Sequence, residues 1–265
     1  MNQPLAYIHR EAKIADNVVI EPFATICKDV EIGEGTWIGS NVTIMDGARI
    51  GKNCKIFPGA VVSAPPQDLK YKGEKTETII GDNTIIRECV TINRGTTDQW
   101  KTVVGNHCLL MAYVHVAHDC ILGDHIILAN SVQLAGHIEI EDYAIVGGIS
   151  AVHQFVKIGR HSMVSGGSLV RKDIPPYCKA GREPLSYIGV NSIGLKRRGY
   201  TNEQVQNIQD VYRELFLKAR PFNKALAYIE SNINVTDERD EIVTFVRESK
   251  RGVMKGYNPK SQNSE

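Results

Sequence analysis

An aliphatic residue stands at every sixth position from Ile8 to Val62: Ile8, Ile14, Ile20, Ile26, Ile32, Ile38, Ile44, Ile50, Ile56 and Val62. The pattern resumes in the same phase at Ile80, Ile86 and Ile92, passes over Asp98, and continues through Val104, Leu110, Val116, Leu122, Leu128, Leu134, Ile140, Val146, Val152, Ile158, Val164 and Val170. A helical face returns roughly every three or four residues and a half-buried strand alternates every second one, so neither produces a period of six. A parallel β-helix does: each of three flat walls uses one hexapeptide, a coil takes about eighteen residues, and the aliphatic side chains point into the prism. Four positions after each aliphatic residue the chain is usually small or β-branched, as at Ala24, Val30, Thr36, Val42, Ala48, Cys54 and Ala60, and again at Cys108, Val114, Cys120, Val132, Ala144 and Ser150. Coils stacked at the ordinary strand spacing of about 4.8 Å put residues eighteen apart over one another.

Glycine, asparagine and aspartate follow the aliphatic residue in Ile32-Gly-Glu-Gly, Ile50-Gly-Lys-Asn, Ile80-Gly-Asp-Asn and Leu122-Gly-Asp-His, where corners call for permissive backbone. Two polar excursions interrupt the repeat, residues 63–78 and 93–101, and loops on a rigid scaffold are where sites are built. After Val170 the period changes. Thr201 with Gln204 forms a capping-box pattern ahead of Val205, Ile208, Val211, Tyr212 and Leu215 at helical spacing, which predicts a first helix. Asn223 to Ile233 and Asp237 to Lys250 are predicted as two more, and the polar tail after Lys260 is expected to fray. The chain therefore divides into a repeat domain over 1–190 and a small helical domain over 191–265.

Composition narrows the function. A chain of 265 residues with 42% hydrophobic and 23% charged residues buries a substantial core. Its formal net charge of +1 argues against binding nucleic acid through bulk electrostatics. The amino-terminal stretch MNQPLAYIHREAKI has no apolar core of signal-peptide length, and no segment approaches a membrane-spanning run, so a cytoplasmic protein without stable membrane insertion is expected. Cys27, Cys54, Cys89, Cys108, Cys120 and Cys178 are scattered without a paired motif and read as small core residues in a reducing compartment.

Histidine is concentrated between residues 107 and 161, at His107, His115, His118, His125, His137, His153 and His161. Stacking by eighteen sets Gly136 over His118 and brings His137 and His153 to nearly the same corner, an imidazole beneath a glycine backbone. His107, His125 and His161 share one post-turn position and read as decoration of the corners. His115, His118 and His137 offer a competing set of metal ligands, as in β-helix carbonic anhydrases, which resemble this chain in fold alone. Those enzymes have a ligand pair separated by four residues on one coil, whereas two residues separate His115 from His118, so no metal is expected.

The segments HVAHDC (115–120), ILANSVQLAGH (127–137), VGGISAVHQF (146–155), IPPY (174–177), GLKRRG (194–199) and PPQDLKYKGE (65–74) together resemble the lipid A O-acyltransferase family, over essentially the whole chain. The resemblance implies an all-β fold, a left-handed parallel β-helix of hexapeptide repeats followed by a small C-terminal α-helical domain. It implies transfer of a (3R)-3-hydroxyacyl group from acyl carrier protein to the 3-hydroxyl of UDP-N-acetylglucosamine, by a homotrimer, with no cofactor. Matched motif by motif, His118 is the general base, Asp119 orients its imidazole, and Gly136 offers its backbone N–H to the oxyanion. A histidine near its ordinary pKa suits that task at neutral pH. Asp68 and Lys70 match loop positions that meet the nucleotide sugar, His115, His137, His153 and Gln154 match the polar wall around substrate, and Asn191, Arg197 and Arg198 match further substrate contacts. Gly166 matches the position that limits acyl length, and its missing side chain implies a long acyl chain. The chain departs from the commoner pattern at Gly181-Arg-Glu, where Gly-Asn-His is usual, and at Ile193, where an acidic residue is usual.

The basic residues Lys196, Arg197, Arg198, Lys218, Arg220 and Lys224 are a candidate surface for the acidic carrier protein. Three other readings stand beside this one: an N-acyltransferase on an amino sugar, whose relatives usually carry a further domain before the repeats; a zinc-dependent hydrase; and a non-catalytic β-helix scaffold. Of these, the repeat beginning at Ile8 speaks against the first.

Overall fold

In the computed structural model, which describes residues 5–218 and 220–256, the period of six becomes three parallel sheets wrapped into a prism. The coil is a left-handed parallel β-helix. Among the described residues, the first wall holds nine strands from Tyr7–Ile8 to Leu169–Val170 and the second eight from Lys13–Ile14 to Lys157–Ile158. The third starts at Val19–Ile20 and reaches eleven strands by adding Cys178–Gly181, Ser186–Val190 and Lys255–Gly256. Most strands are two residues long, because a wall is only as wide as the hexapeptide minus its corner.

Register follows the expected step of eighteen: Leu109 pairs with Ile127, Ile127 with Ile145, and Ile145 with Met163. Across the first excursion the step becomes thirty, as Val61 pairs with Thr91. Across the second it is twenty-four, as Thr91 pairs with His115. The excursions thus add twelve and six residues, whole hexapeptides in both cases, which is why the aliphatic phase survives them. Both leave from the same edge of the prism, between the first and second walls: one joins Val61–Ala64 to Glu77–Ile80, the other Thr91–Asn93 to Lys101–Val104.

Every aliphatic residue of the series from Ile20 to Val170 is buried, while Ile8 and Ile14 are half-buried at the open end. Burying one such side chain contributes about 1.5–3 kcal/mol, so the column is the main source of stability. The small positions four residues on are buried as well, Cys54, Cys108 and Cys120 among them. Cys178 is buried too, but Cys27 is only half-buried and Cys89 is exposed, so the reading of all six as core residues fails for those two. Their sites explain it: Cys89 occupies a corner, with φ 56°, where the side chain points to solvent.

The corners meet a second expectation at Gly35, Asn53 and Asn83, which have φ of 70°, 53° and 57°, and correct it elsewhere. The residue in left-handed conformation is the third after the aliphatic one, and it is often large: Phe23, Tyr113, His125, His137, Tyr143 and Phe155 all have φ near +60°. The glycine directly after the aliphatic residue answers a different need, close approach between coils. A Cβ on Gly105 would lie 2.4 Å from the carbonyl oxygen of Gly123. Left-handed backbone costs a non-glycine residue about 1–2 kcal/mol, and on one edge the side chains offset it by stacking. His107, His125, Tyr143, His161 and Tyr177 form a continuous ladder with centroid separations of 4.9, 4.5, 4.8 and 5.7 Å. His107, His125 and His161 are therefore structural members of a stack rather than decoration, and His161 is only 6% exposed.

The helical region opens one helix earlier than expected, with α1 (Ser192–Arg197) capped by the Asn191 side chain. The helix α2 (Asn202–Tyr212) carries the complete Thr201/Gln204 capping box and runs into a π-turn at Arg213–Leu217. The other two helices are α3 (Phe222–Asn232) and α4 (Asp237–Glu248), close to their predicted bounds. The Tyr212 hydroxyl donates to the Pro176 carbonyl and the Tyr177 hydroxyl to Glu241, tying the helices to the end of the prism. The tail after Lys260 lies outside the described residues. No helix among the described residues is long and apolar enough to cross a membrane.

Burial first, and then the neighbouring Arg198 and Arg160, push the His161 imidazole down from about 6.5 to about 4. A folded-state pKa below the unfolded one means that the unfolded chain binds more protons, so this group's contribution is intact above pH 6.5 and is lost as pH falls toward 4. Unfolding followed at pH 7 and pH 4.5 should show a steeper loss in the native protein than in His161→Phe, which keeps the stack without the titration.

Candidate active site

The edge between the first and second walls gathers most of the candidate residues. His115 lies on the strand His115–Val116 of the first wall, and His118 and Asp119 form the corner before Ile121–Leu122 of the second. One coil further on, Gly136 and His137 occupy the same corner, and His153, Gln154 and Phe155 lie above them. The His137 amide donates to the His118 carbonyl at 3.1 Å, which fixes this register.

His118 is 6% exposed and Asp119 2%. His118 Nδ1 lies 2.8 Å from Asp119 Oδ2. An ionised carboxylate only accepts, so in the neutral ring Nδ1 carries the proton and Nε2 the lone pair. Burial works against the charge on Asp119, but hydrogen bonds from Thr96, His118 and Gln99 outweigh it and hold the carboxyl below its ordinary pKa. Gly136 leaves room for the imidazole. A Cβ there would sit 2.7 Å from His118 Cε1 and 2.9 Å from Nε2, closer than any side chain tolerates.

His137 packs edge-on against His118 at 5.0 Å, stacks on Phe155 at 4.5 Å, and points Nδ1 at Asp98 Oδ2, 3.0 Å away. His115 Nδ1 meets Thr91 Oγ1 at 2.7 Å, and burial, followed by the nearby His118, holds its pKa down. His153 and Gln154 are exposed at the rim. His118, Asp119 and His137 place ligand atoms within 4.8 Å of one another, the one such group among the described residues. A cation there would displace donors from an Asp119 carboxylate that already accepts four hydrogen bonds, from Thr96 N, Thr96 Oγ1, Gln99 N and His118 Nδ1. The group is built as a hydrogen-bonded acid–base pair.

The remaining candidates sit elsewhere on the chain. Asp68 Oδ1 accepts from the Lys70 amide at 2.9 Å, a local turn that leaves Lys70 and Leu69 exposed, and neither Asp68 nor Lys70 bonds to the residues around His118. Asn191, Arg197 and Arg198 line an open cavity of about 620 Å³ together with Ile145, Met163 and Lys179 of the third wall. Arg198 lies over the Tyr143 ring at 5.2 Å, and its Nη1 is buried without a hydrogen-bond partner among the described residues. Ile193, the departure from the acidic pattern, is exposed at this cavity. Gly166 is at the third edge, where a Cβ would lie 3.1 Å from the Gly148 carbonyl oxygen. Two members of the basic surface are engaged within the fold: Lys218 and Arg220 both pair with Glu214.

Thr96, Asp98, Gln99 and Thr102, whose hydroxyl accepts from the Asp119 amide at 2.9 Å, escaped the sequence reading. One signal was available: Asp98 stands where the sixfold series calls for an aliphatic residue.

A family model described as UDP-N-acetylglucosamine O-acyltransferase, domain 2, matches residues 173–254, and the bacterial transferase hexapeptide model matches residues 29–64 and 101–136. An acyl-[acyl-carrier-protein]–UDP-N-acetylglucosamine O-acyltransferase from Xylella fastidiosa is 39% identical across 96% of this chain and 100% of its own length. The chain belongs to the UDP-N-acetylglucosamine O-acyltransferase family. It is an acyltransferase. The solved structure of the family member from Bacteroides fragilis superposes with a TM-score of 0.95 at 49% identity, over 96% of this chain and all of the other. The Arabidopsis member gives 0.84 at 33% identity, over 96% and 100%.

Gly136→Ala is expected to drive the His118 ring off Asp119. A crystal structure of the variant, or the loss of the downfield Nδ1–H resonance in its NMR spectrum, checks this, whereas an unmoved ring would mean that the corner relaxes instead.

Proposed function

We propose that this acyltransferase moves a (3R)-3-hydroxyacyl group from acyl carrier protein to the 3-hydroxyl of UDP-N-acetylglucosamine, the first step of lipid A synthesis, in the cytoplasm. The observation that carries the reading is the 2.8 Å contact between His118 Nδ1 and Asp119, which selects the neutral tautomer whose free nitrogen is Nε2, beneath Gly136. His118 Nε2 takes the proton from the sugar hydroxyl as its oxygen attacks the thioester carbonyl. The tetrahedral intermediate then collapses with cleavage of the C–S bond, and the imidazolium returns the proton to the departing thiolate. No cofactor enters the step.

Gly136 stabilises the oxyanion through its N–H. A comparison among corners supports the assignment. The equivalent amides of Lys52, Asn106 and Asp124 on another edge are each capped by a side-chain oxygen from the next coil at 2.7–2.9 Å. The amide of Gly136 has no such cap among the described residues. Arg198, with an unspent buried donor, and Arg197 meet the diphosphate or the acyl donor. Asn191 lines the same substrate cavity, Asp68 and Lys70 meet the nucleotide sugar, and His115, His137, His153 and Gln154 complete the polar wall. The missing side chain of Gly166 leaves the groove open for a long acyl chain.

In one chain these groups lie on different sides of the prism. His118 and the 63–78 loop are at one edge, the Arg198 cavity faces the third wall, and Gly166 is at another edge. A homotrimer would let a cleft between neighbouring prisms hold both substrates. Light scattering should give three times the chain mass, and a monomer would end that account. In competition, long 3-hydroxyacyl donors should outrun short ones.

The deciding assay is transfer of labelled 3-hydroxyacyl groups from acyl carrier protein to UDP-N-acetylglucosamine. His118→Ala should lower the rate by roughly 100-fold or more. Full activity in the variant would remove His118 from the mechanism, and no product from the native protein would redirect attention to amino-sugar acceptors.

A further inference from the structure

Asp119 is a buried carboxylate with a demanding set of partners, and the short 93–101 loop supplies three of them. The Thr96 amide donates to Oδ1 at 2.9 Å and the Gln99 amide to the same oxygen at 3.2 Å. The Thr96 hydroxyl donates to Oδ2 at 2.6 Å, the oxygen that also accepts from His118 Nδ1. Each carboxylate oxygen therefore has two donors, and the plane of the group is fixed. The hydroxyl is itself held, since it accepts from the Asp98 amide at 3.3 Å. The loop is closed by Trp100 N to Thr96 O at 2.8 Å and anchored to the base of the other excursion by Thr76 Oγ1 to Gly95 O at 2.6 Å. The same loop reaches the second imidazole through Asp98, whose Oδ2 lies 3.0 Å from His137 Nδ1.

We propose that Thr96 is a positioning residue for the acyl transfer, its hydroxyl sharing Asp119 Oδ2 with His118 so that the ring stays aimed and its proton stays on Nδ1. The assignment rests on the reading of His118 as the base. A hydroxyl donor makes the carboxylate a weaker base without removing its charge, so the proton remains on the imidazole and Nε2 keeps its lone pair. It also removes the freedom of the carboxylate to rotate about its Cβ–Cγ bond, and a small misalignment of a base costs much of its rate. The second excursion is thus a clamp on the catalytic corner, placed one coil away by the inserted hexapeptide.

The test compares Thr96→Val, Thr96→Ser and the native enzyme with acyl carrier protein and UDP-N-acetylglucosamine as substrates. The charged and titratable groups around His118 are Asp119, His115 and His137, with Asp98 beyond His137. They are unchanged in every variant. Thr96→Val should lower kcat roughly tenfold or more, as expected for loss of a hydrogen bond to a charged group, and leave KM for both substrates within about twofold. The acidic limb of its kcat profile should move to higher pH, because a carboxylate with one donor fewer holds the imidazolium more strongly. Thr96→Ser should restore both. Native kcat with an unmoved limb in Thr96→Val, or a loss that serine does not rescue, would overturn the assignment. Thr96→Ala is the second probe if valine does not fit the corner, and unfolding of both, read from the melting curves, would make the hydroxyl a stability element and likewise overturn it. His118→Ala separates the two ideas: activity in that variant removes the base and this inference together, whereas an inactive His118→Ala beside a normal Thr96→Val removes the inference alone.

Discussion

The structure depends on one constraint, that each coil must lie directly over the last while sending one aliphatic side chain inward from every wall. The buried column from Ile20 to Val170 satisfies it. Because the strands are mostly two residues long, no wall has the hydrogen bonds or the contact area to stand alone, and stability comes from repetition along the axis. Glycine appears where two corners approach too closely for a side chain, as at Gly105 against Gly123. On one edge the strained left-handed positions are occupied by rings that stack on their counterparts above and below.

The site uses the same constraint. Stacking by eighteen puts Gly136 over His118, and only a residue without a Cβ leaves the imidazole its place. The left-handed corner, which elsewhere displays a ladder of rings, here turns the Asp119 carboxylate back onto its neighbouring imidazole. Both excursions leave from this edge, and since each adds a whole number of hexapeptides they furnish it without disturbing the core. A rigid solenoid with one elaborated edge separates folding from chemistry: the inward residues are fixed by packing, and the outward ones are free to hold a base, its partner and a loop.

Much of this was legible in the chain. The sixfold period of Ile, Leu and Val specified the prism, its inward faces and the contacts between coils, because one geometric repeat admits one way of burying every member. The same arithmetic led from His118 to Gly136. The Thr201/Gln204 pair announced a helix through local hydrogen bonding, which a sequence displays directly. The short α1, with its Asn191 cap, carried too few residues to show a period.

Side-chain partners across coils and loops were not legible. That His107, His125 and His161 stack with Tyr143 and Tyr177, that Cys89 is exposed, that Lys218 and Arg220 are held by Glu214, and that Thr96 and Gln99 close on Asp119 depend on rotamers and loop paths. Sequence by itself determined what repeats, since burial of a periodic apolar series has a single economical solution. Only the tertiary structure decided what does not repeat: the course of the 93–101 loop, the donors it brings to a buried carboxylate, and the ring nitrogen that is left free as a result.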